Sequence, residues 1–137
     1  MVRIKSTIID ANVWIAYYKQ NDSLHRKALA KFKEFKQSER QCVVTNLIVS
    51  EVYSILTYAK QKKIAEAFII FCLNNERIIW LDMDRFFIEQ INNFAATRKL
   101  TSSRLSLVDY SIIFLAQEFD FEIFSFDQEL LKYNKLY

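Results

Sequence analysis

Short apolar runs rich in β-branched residues alternate with amphipathic helical patterns along the whole chain. Four runs predict strands, over Ser6 to Ile9, Gln41 to Thr45, Arg77 to Leu81 and Phe121 to Phe126. Seven helical patterns fill the intervals, at Asn12 to Lys19, Ser23 to Gln37, Asn46 to Ala59, Lys62 to Leu73, Asp84 to Arg98, Ser106 to Phe119 and Gln128 to Tyr133. This alternation predicts an α/β fold with a mostly parallel sheet. Because the 137 residues contain no linker or repeat, we expect one domain over residues 1–137.

Four acidic residues stand where apolar runs give way to polar ones. Asp10 follows the first predicted strand and Asp127 the last, while Glu51 and Asp109 lie early in predicted helices. Ligands of open α/β sheets bind outside the carboxyl ends of the strands, so these acids can converge. Like charges held together resist joint ionisation unless a cation lies among them. The sequence therefore predicts one or two Mg²⁺ or Mn²⁺ ions and metal-dependent phosphodiester chemistry.

Each acid also has a purely structural interpretation. Asp10 and Asp127 can cap the helices that follow them, and Ser106 with Asp109 fits the spacing of a capping box. Glu51 can simply end an exposed helical stripe. Both interpretations stay open at the level of residue spacing.

The chain contains no glycine and no proline. Without glycine, the phosphate-binding Walker A loop, the dinucleotide fingerprint and the nucleophile elbow are excluded, because each requires backbone that glycine supplies. One histidine and two cysteines do not complete a usual tetrahedral zinc site without carboxylates. Tight turns are expected to fall to Asn21-Asp22, Asn74-Asn75 and Asn92-Asn93, since asparagine and aspartate tolerate left-handed backbone.

Charge and composition suggest the partners. The net charge is +3, and if four acids gather at one site the rest of the surface is more basic than this total shows. Basic residues precede the third acid, namely Arg98, Lys99 and Arg104, and they are candidates for contacts with RNA phosphates. The aromatic content of 15% leaves residues for a homodimer interface, with Trp14, Tyr17, Tyr18, Phe68 and Phe71 as candidates for either interface or core. Core is favoured for Trp14 and Phe68, because both lie on apolar helical stripes. No apolar run reaches the length of a membrane span, so we expect a cytoplasmic protein.

The four acidic motifs, taken in order, resemble those of PIN-domain proteins. The motifs are Ile8-Ile9-Asp10-Ala11-Asn12-Val13-Trp14-Ile15, Thr45 followed by Ser50-Glu51-Val52, Leu107-Val108-Asp109-Tyr110-Ser111-Ile112, and Ile123-Phe124-Ser125-Phe126-Asp127. The resemblance departs from the family pattern at Asn46, where proline is common, and at Asp120-Phe121, where glycine is common. Neither departure removes an acid.

The resemblance implies a three-layer αβα sandwich with a central, mostly parallel sheet of four to five strands. It also implies a Mg²⁺- or Mn²⁺-dependent endoribonuclease, the VapC-type toxin of a toxin-antitoxin pair, with RNA as substrate and an antitoxin as partner. Asp10, Glu51, Asp109 and Asp127 would be the catalytic, metal-binding acids, and Asn12 and Ser125 would support them.

Two other functions remain open on the sequence. A phosphatase of the haloacid dehalogenase type would also place an aspartate after the first strand and Asp127 after the last. It would need a second acid at the position of Asn12, and it leaves Glu51 and Asp109 unexplained. A non-catalytic binding module with the same fold is the third possibility, because fold does not imply function.

Overall fold

A computed structural model describes residues 6–97 and 104–135 of the chain. Its strands are β1 (Thr7–Ile9), β2 (Cys42–Thr45), β3 (Ile78–Leu81) and β4 (Glu122–Phe124). Its helices are α1 (Ala11–Tyr18), α2 (His25–Gln37), α3 (Asn46–Tyr58), α4 (Lys62–Asn74), α5 (Arg85–Thr97), α6 (Leu107–Phe119) and α7 (Gln128–Leu131), and a 3₁₀ turn over Lys132–Lys135 follows α7. All predicted strands and helices are present, and no end differs from its predicted position by more than two residues.

The four strands form one parallel sheet in the order β3-β2-β1-β4. Every residue of β1 and β2 is buried, whereas β3, at one edge, is half-buried throughout. Central parallel strands are covered on both faces, which is why they read as continuous apolar runs. The predicted αβα sandwich is confirmed, with four strands in the described part of the chain.

The helices fall into two packed groups. Helix α1 contacts α2 and α3, and α3 contacts α4, while α5 contacts α6. Trp14 and Phe68 lie inside the core, with ring centroids 5.1 Å apart, so both belong to the core and not to a dimer surface. Phe71 remains 40% exposed. Across residues 6–97 and 104–135, no helix combines the length and the apolar character that crossing a bilayer requires.

Two helices end with left-handed backbone at a residue that is not glycine. Lys60 (φ 61°) and Asp120 (φ 57°) are the left-handed residues among those described. Lys60 follows α3, where the Lys60 N–H donates to Thr57 and the Gln61 N–H donates to Leu56, at 3.0 and 2.9 Å. This is the Schellman arrangement, which usually carries glycine at the left-handed position.

The prediction that tight turns fall to asparagine-containing pairs was right for Asn21-Asp22, which lies in a turn closed by the hydrogen bond from the Asp22 N–H to the Lys19 carbonyl at 3.0 Å. It was wrong for Asn92-Asn93, which lies inside α5. None of the three pairs adopts left-handed backbone. Asp120, which does, is a residue type that tolerates this backbone, whereas Lys60 adopts it because the hydrogen bonds that close α3 require it.

Replacing Lys60 by glycine is expected to stabilise the protein. A left-handed non-glycine residue costs about 1 kcal/mol or more, of which the greater unfolded-state freedom of glycine offsets part. We expect Lys60→Gly to raise the free energy of unfolding by about 0.5 kcal/mol in urea titrations. Ala67→Gly, at an exposed position within α4, is the matched control and should lower it by about 1 kcal/mol. An equal decrease in the free energy of unfolding in both variants would contradict backbone strain at Lys60.

Candidate active site

The pairing of β1 with β4 places the first and last acidic motifs side by side. Ile9 lies opposite Phe124 in the parallel register, and the Asp10 N–H donates to the Phe124 carbonyl at 2.9 Å. The next residues, Asp10 and Ser125, are therefore neighbours at the carboxyl edge of the sheet. Both are buried, with 7% and 2% of their surface exposed.

Ser125 connects the two motifs through its hydroxyl group. Its Oγ donates to Oδ2 of Asp10 at 2.7 Å, and accepts from Nδ2 of Asn12 at 3.2 Å and from the Asp127 N–H at 3.0 Å. Oδ1 of Asn12 accepts from the Phe126 N–H at 3.2 Å. Asn12 and Ser125, the two predicted supporting residues, thus fix the position of Asp10 relative to the end of β4.

Three of the four acids cap helices, as their structural interpretation predicted. Oδ1 of Asp10 accepts from the Ala11 N–H at 2.8 Å, and Oδ1 of Asp127 accepts from the Glu129 N–H at 2.9 Å. Asp109 forms a capping box with Ser106, in which Oδ2 of Asp109 accepts from the Ser106 N–H at 2.9 Å. Each carboxylate has about four lone-pair sites, so capping leaves capacity for a cation. The capping and metal-binding interpretations are therefore compatible.

The four acids influence each other electrostatically. Burial is the main cause that raises the pKa of Asp10, the bonds from Ser125 and Ala11 oppose it, and the charges of Asp109 and Asp127 raise it further. The pKa of Glu51 is raised by desolvation of its carboxyl group, then by the charges of Asp10 and Asp109. Glu51 is exposed as a residue on α3, so screening by water weakens this effect. Asp10 therefore lies within electrostatic range of Asp109 and Asp127, and Glu51 within range of Asp10 and Asp109.

Within the described residues, none of the four acids forms an ion pair. Oδ1 of Asp109 and Oδ2 of Asp127 likewise have no hydrogen-bond partner there. A buried carboxylate surrounded by uncompensated negative charge fits a hard divalent cation, which prefers oxygen ligands. The same residues contain no group of three His, Cys, Asp or Glu side chains spaced to hold an ion. The donor types fit Mg²⁺ or Mn²⁺, but the described side chains do not form a three-ligand set as they stand, so the assignment of individual ligands stays a prediction.

The predicted RNA-contacting residues are only partly described. Arg98 and Lys99 lie outside the described residues, and Arg104 is exposed just before α6. Their contact with RNA stays a prediction.

One residue that positions the site was missed from the sequence. Asn46, the first residue of α3, accepts through Oδ1 from the Met83 N–H at 2.6 Å and donates through Nδ2 to the Met83 carbonyl at 3.5 Å. This contact ties the start of the helix that carries Glu51 to the loop after β3. The position of Asn46 directly after Thr45, at the end of a predicted strand, was the signal in the sequence that could have suggested such a contact.

The comparisons with known proteins agree with this geometry. The family model of the PIN domain matches residues 7–136. The chain is also similar in structure to VapC20 of Mycobacterium tuberculosis, a sarcin-ricin loop cleaving toxin, with a TM-score of 0.77 and 15% identity over 93% of this chain and 94% of that one. No curated protein sequence shows significant similarity to the chain. Because the family match spans nearly the whole sequence, the chain belongs to the PIN-domain family.

Proposed function

We propose that this protein is a divalent-metal-dependent endoribonuclease that hydrolyses RNA phosphodiester bonds as the toxin of a toxin-antitoxin pair. The observation that carries the proposal is the negative charge around buried Asp10 at the carboxyl edge of a PIN-domain sheet, where no cationic side chain of residues 6–97 and 104–135 forms an ion pair with the four acids. Such charge destabilises the apo protein, so a cation at this edge would be bound favourably.

Each residue of the site has a proposed role that follows from its position. Asp10 and Asp109 would ligate the cation directly, Asp127 would complete the set, and Glu51 would act through water or as a base. Ser125 and Asn12 hold Asp10 in place, in the manner of the outer partners that orient metal ligands. The chemistry that a divalent cation supplies in such sites is polarisation of the scissile phosphate and a lower pKa for the attacking water. The chain then needs no covalent nucleophile.

The partners follow from the family and from the surface. VapC20 is named for cleavage of the sarcin-ricin loop, and a structured RNA loop is accordingly our first choice of substrate class. An antitoxin protein and a second copy of this chain are the proposed protein partners. Exposed apolar residues on α4, namely Ile70, Phe71 and Leu73, are the candidate dimer surface.

The two alternative functions are less well supported. A haloacid dehalogenase-type phosphatase needs an acid at position 12, where Asn12 instead donates to Ser125. A non-catalytic module could use Asp10, Asp109 and Asp127 as helix caps, but uncharged caps would serve it without the electrostatic repulsion around Asp10.

The first test is cleavage of structured and single-stranded RNAs with Mg²⁺ or Mn²⁺ by the parent and its variants. Asp10→Asn and Asp109→Asn should each lower kcat/KM by about 10²-fold or more, because each removes charge that holds the cation. Ser125→Ala should lower it about 10- to 100-fold. Glu76→Gln, an exposed acid that precedes β3 at the opposite edge of the sheet, is the matched control and should leave cleavage unchanged. Equal cleavage by parent and Asp10→Asn would refute the assignment.

Asp109→Asn should also stabilise the metal-free protein. The folded-state pKa of Asp10 is raised, in part by the charge of Asp109, so the ionisation of Asp10 disfavours folding, and that cost is present once the pH exceeds the raised value. Asparagine at position 109 keeps an acceptor for the Ser106 N–H and removes the charge. We expect Tm in EDTA to rise by about 2 °C, the shift that about 0.5 kcal/mol produces in a domain of this size. A lower Tm would contradict a destabilising repulsion between the carboxylates of Asp10 and Asp109.

Cation binding should weaken as the pH falls. Asp10 and Glu51 must be ionised to bind a cation, and their raised pKa values move proton competition above the ordinary values of 3.8 and 4.5. The increase in Tm produced by Mg²⁺ should therefore be full at neutral pH and decline toward those raised pKa values. The Asp10→Asn protein, measured in parallel, should show little increase at any pH. A constant increase across this range would place the cation elsewhere.

A further inference from the structure

A groove of about 420 Å³ runs between α2 and β4 and reaches the candidate active site. Ser125 forms part of its wall, and the same hydroxyl group donates to Asp10. Phe124 lies on the β4 side of the groove, and Lys31 and Glu34 lie on the α2 side. The groove and the candidate active site therefore share Ser125, and a ligand at that end of the groove is linked to the buried aspartate through this one side chain.

The charges in the groove are paired with one another. Nζ of Lys31 lies 3.3 Å from Oε2 of Glu34, and Arg40 forms an ion pair with Glu122. These two pairs give the groove polar donors and acceptors but no net charge. Nζ of Lys31 also lies 5.4 Å from the centroid of the half-buried Phe124 ring.

We propose that this groove binds the nucleobase next to the scissile phosphate, a step that rests on the proposed ribonuclease function. A phosphate would require an uncompensated cation, and a wholly apolar ligand would desolvate the two ion pairs without replacing their hydrogen bonds. A nucleobase has a flat face that stacks on an aromatic ring and an edge that exchanges hydrogen bonds. Because the Lys31 side chain is 44% exposed, it can move from the Phe124 ring at little cost.

The test combines two changes, one in the RNA and one in the protein. An RNA that the parent cleaves is prepared with a single abasic nucleotide at each position around the cleavage site. One abasic position should lower kcat/KM of the parent about 10-fold, the effect of losing one stacked base. Glu34→Trp, which adds bulk at the groove, and Phe124→Leu, which removes its aromatic face, should lower cleavage of the intact RNA and abolish this abasic penalty.

The matched control is Leu29→Trp. Leu29 is 43% exposed on α2, and five positions along the helix place it about 140° from Glu34 around the axis. This variant should cleave like the parent and keep the full abasic penalty. If the abasic penalty persists unchanged in both Glu34→Trp and Phe124→Leu, the groove does not bind the base.

A binding measurement separates this proposal from the proposed function. With Asp109→Asn as the background, the affinity for the intact and the abasic RNA is measured by fluorescence anisotropy with and without Glu34→Trp. The intact RNA should bind about 10-fold more tightly, and only when the groove is open. A parent that cleaves no RNA would overturn the ribonuclease proposal. A parent that cleaves intact and abasic RNAs equally would overturn the groove proposal alone.

Discussion

The parallel pairing of β1 with β4 is the constraint on which the candidate site depends. Its register sets Asp10 beside Ser125, and the 2.7 Å hydrogen bond between them joins motifs that are 115 residues apart in sequence. Since β1 is central and wholly buried, its end is held by neighbours on both sides. A carboxylate placed there has little freedom to move toward water, and its repulsion from Asp109 and Asp127 is built into the folded state.

The same acids have opposite effects on the stability of the fold. Asp10, Asp109 and Asp127 each satisfy an orphan amide at a helix start, a contribution of about 1 kcal/mol apiece. Their mutual repulsion and the burial of Asp10 act in the opposite direction, as its raised pKa indicates. An uncharged cap such as serine or asparagine would satisfy the amides without the repulsion. Retaining charge where a neutral residue would fold better is the pattern expected of a site that binds a cation.

Much of this arrangement could be predicted from the sequence, because strand ends and helix starts are encoded locally. The order of apolar runs predicted all four strands, and the acids at their ends predicted a shared edge. The contact between Asn46 and Met83 could not be predicted, since it depends on how α3 packs beside the loop after β3. The left-handed position of Lys60 was missed for a related reason, because the hydrogen bonds that close the end of α3 require this backbone although lysine has no preference for it. Sequence patterns do not reveal which side chains of distant segments will contact each other.

The division of charge in the molecule bears on how RNA would approach a nuclease of this kind. Apart from the four acids of the site, the chain carries 19 basic and 12 other acidic residues, so the rest of the protein attracts a phosphate backbone. Without a cation, the acids of the proposed site would repel that backbone. A cation that neutralised them would remove the repulsion, and each ligand would then raise the affinity for the other by the same factor. In the proposed function, metal and RNA binding would therefore be coupled through electrostatics.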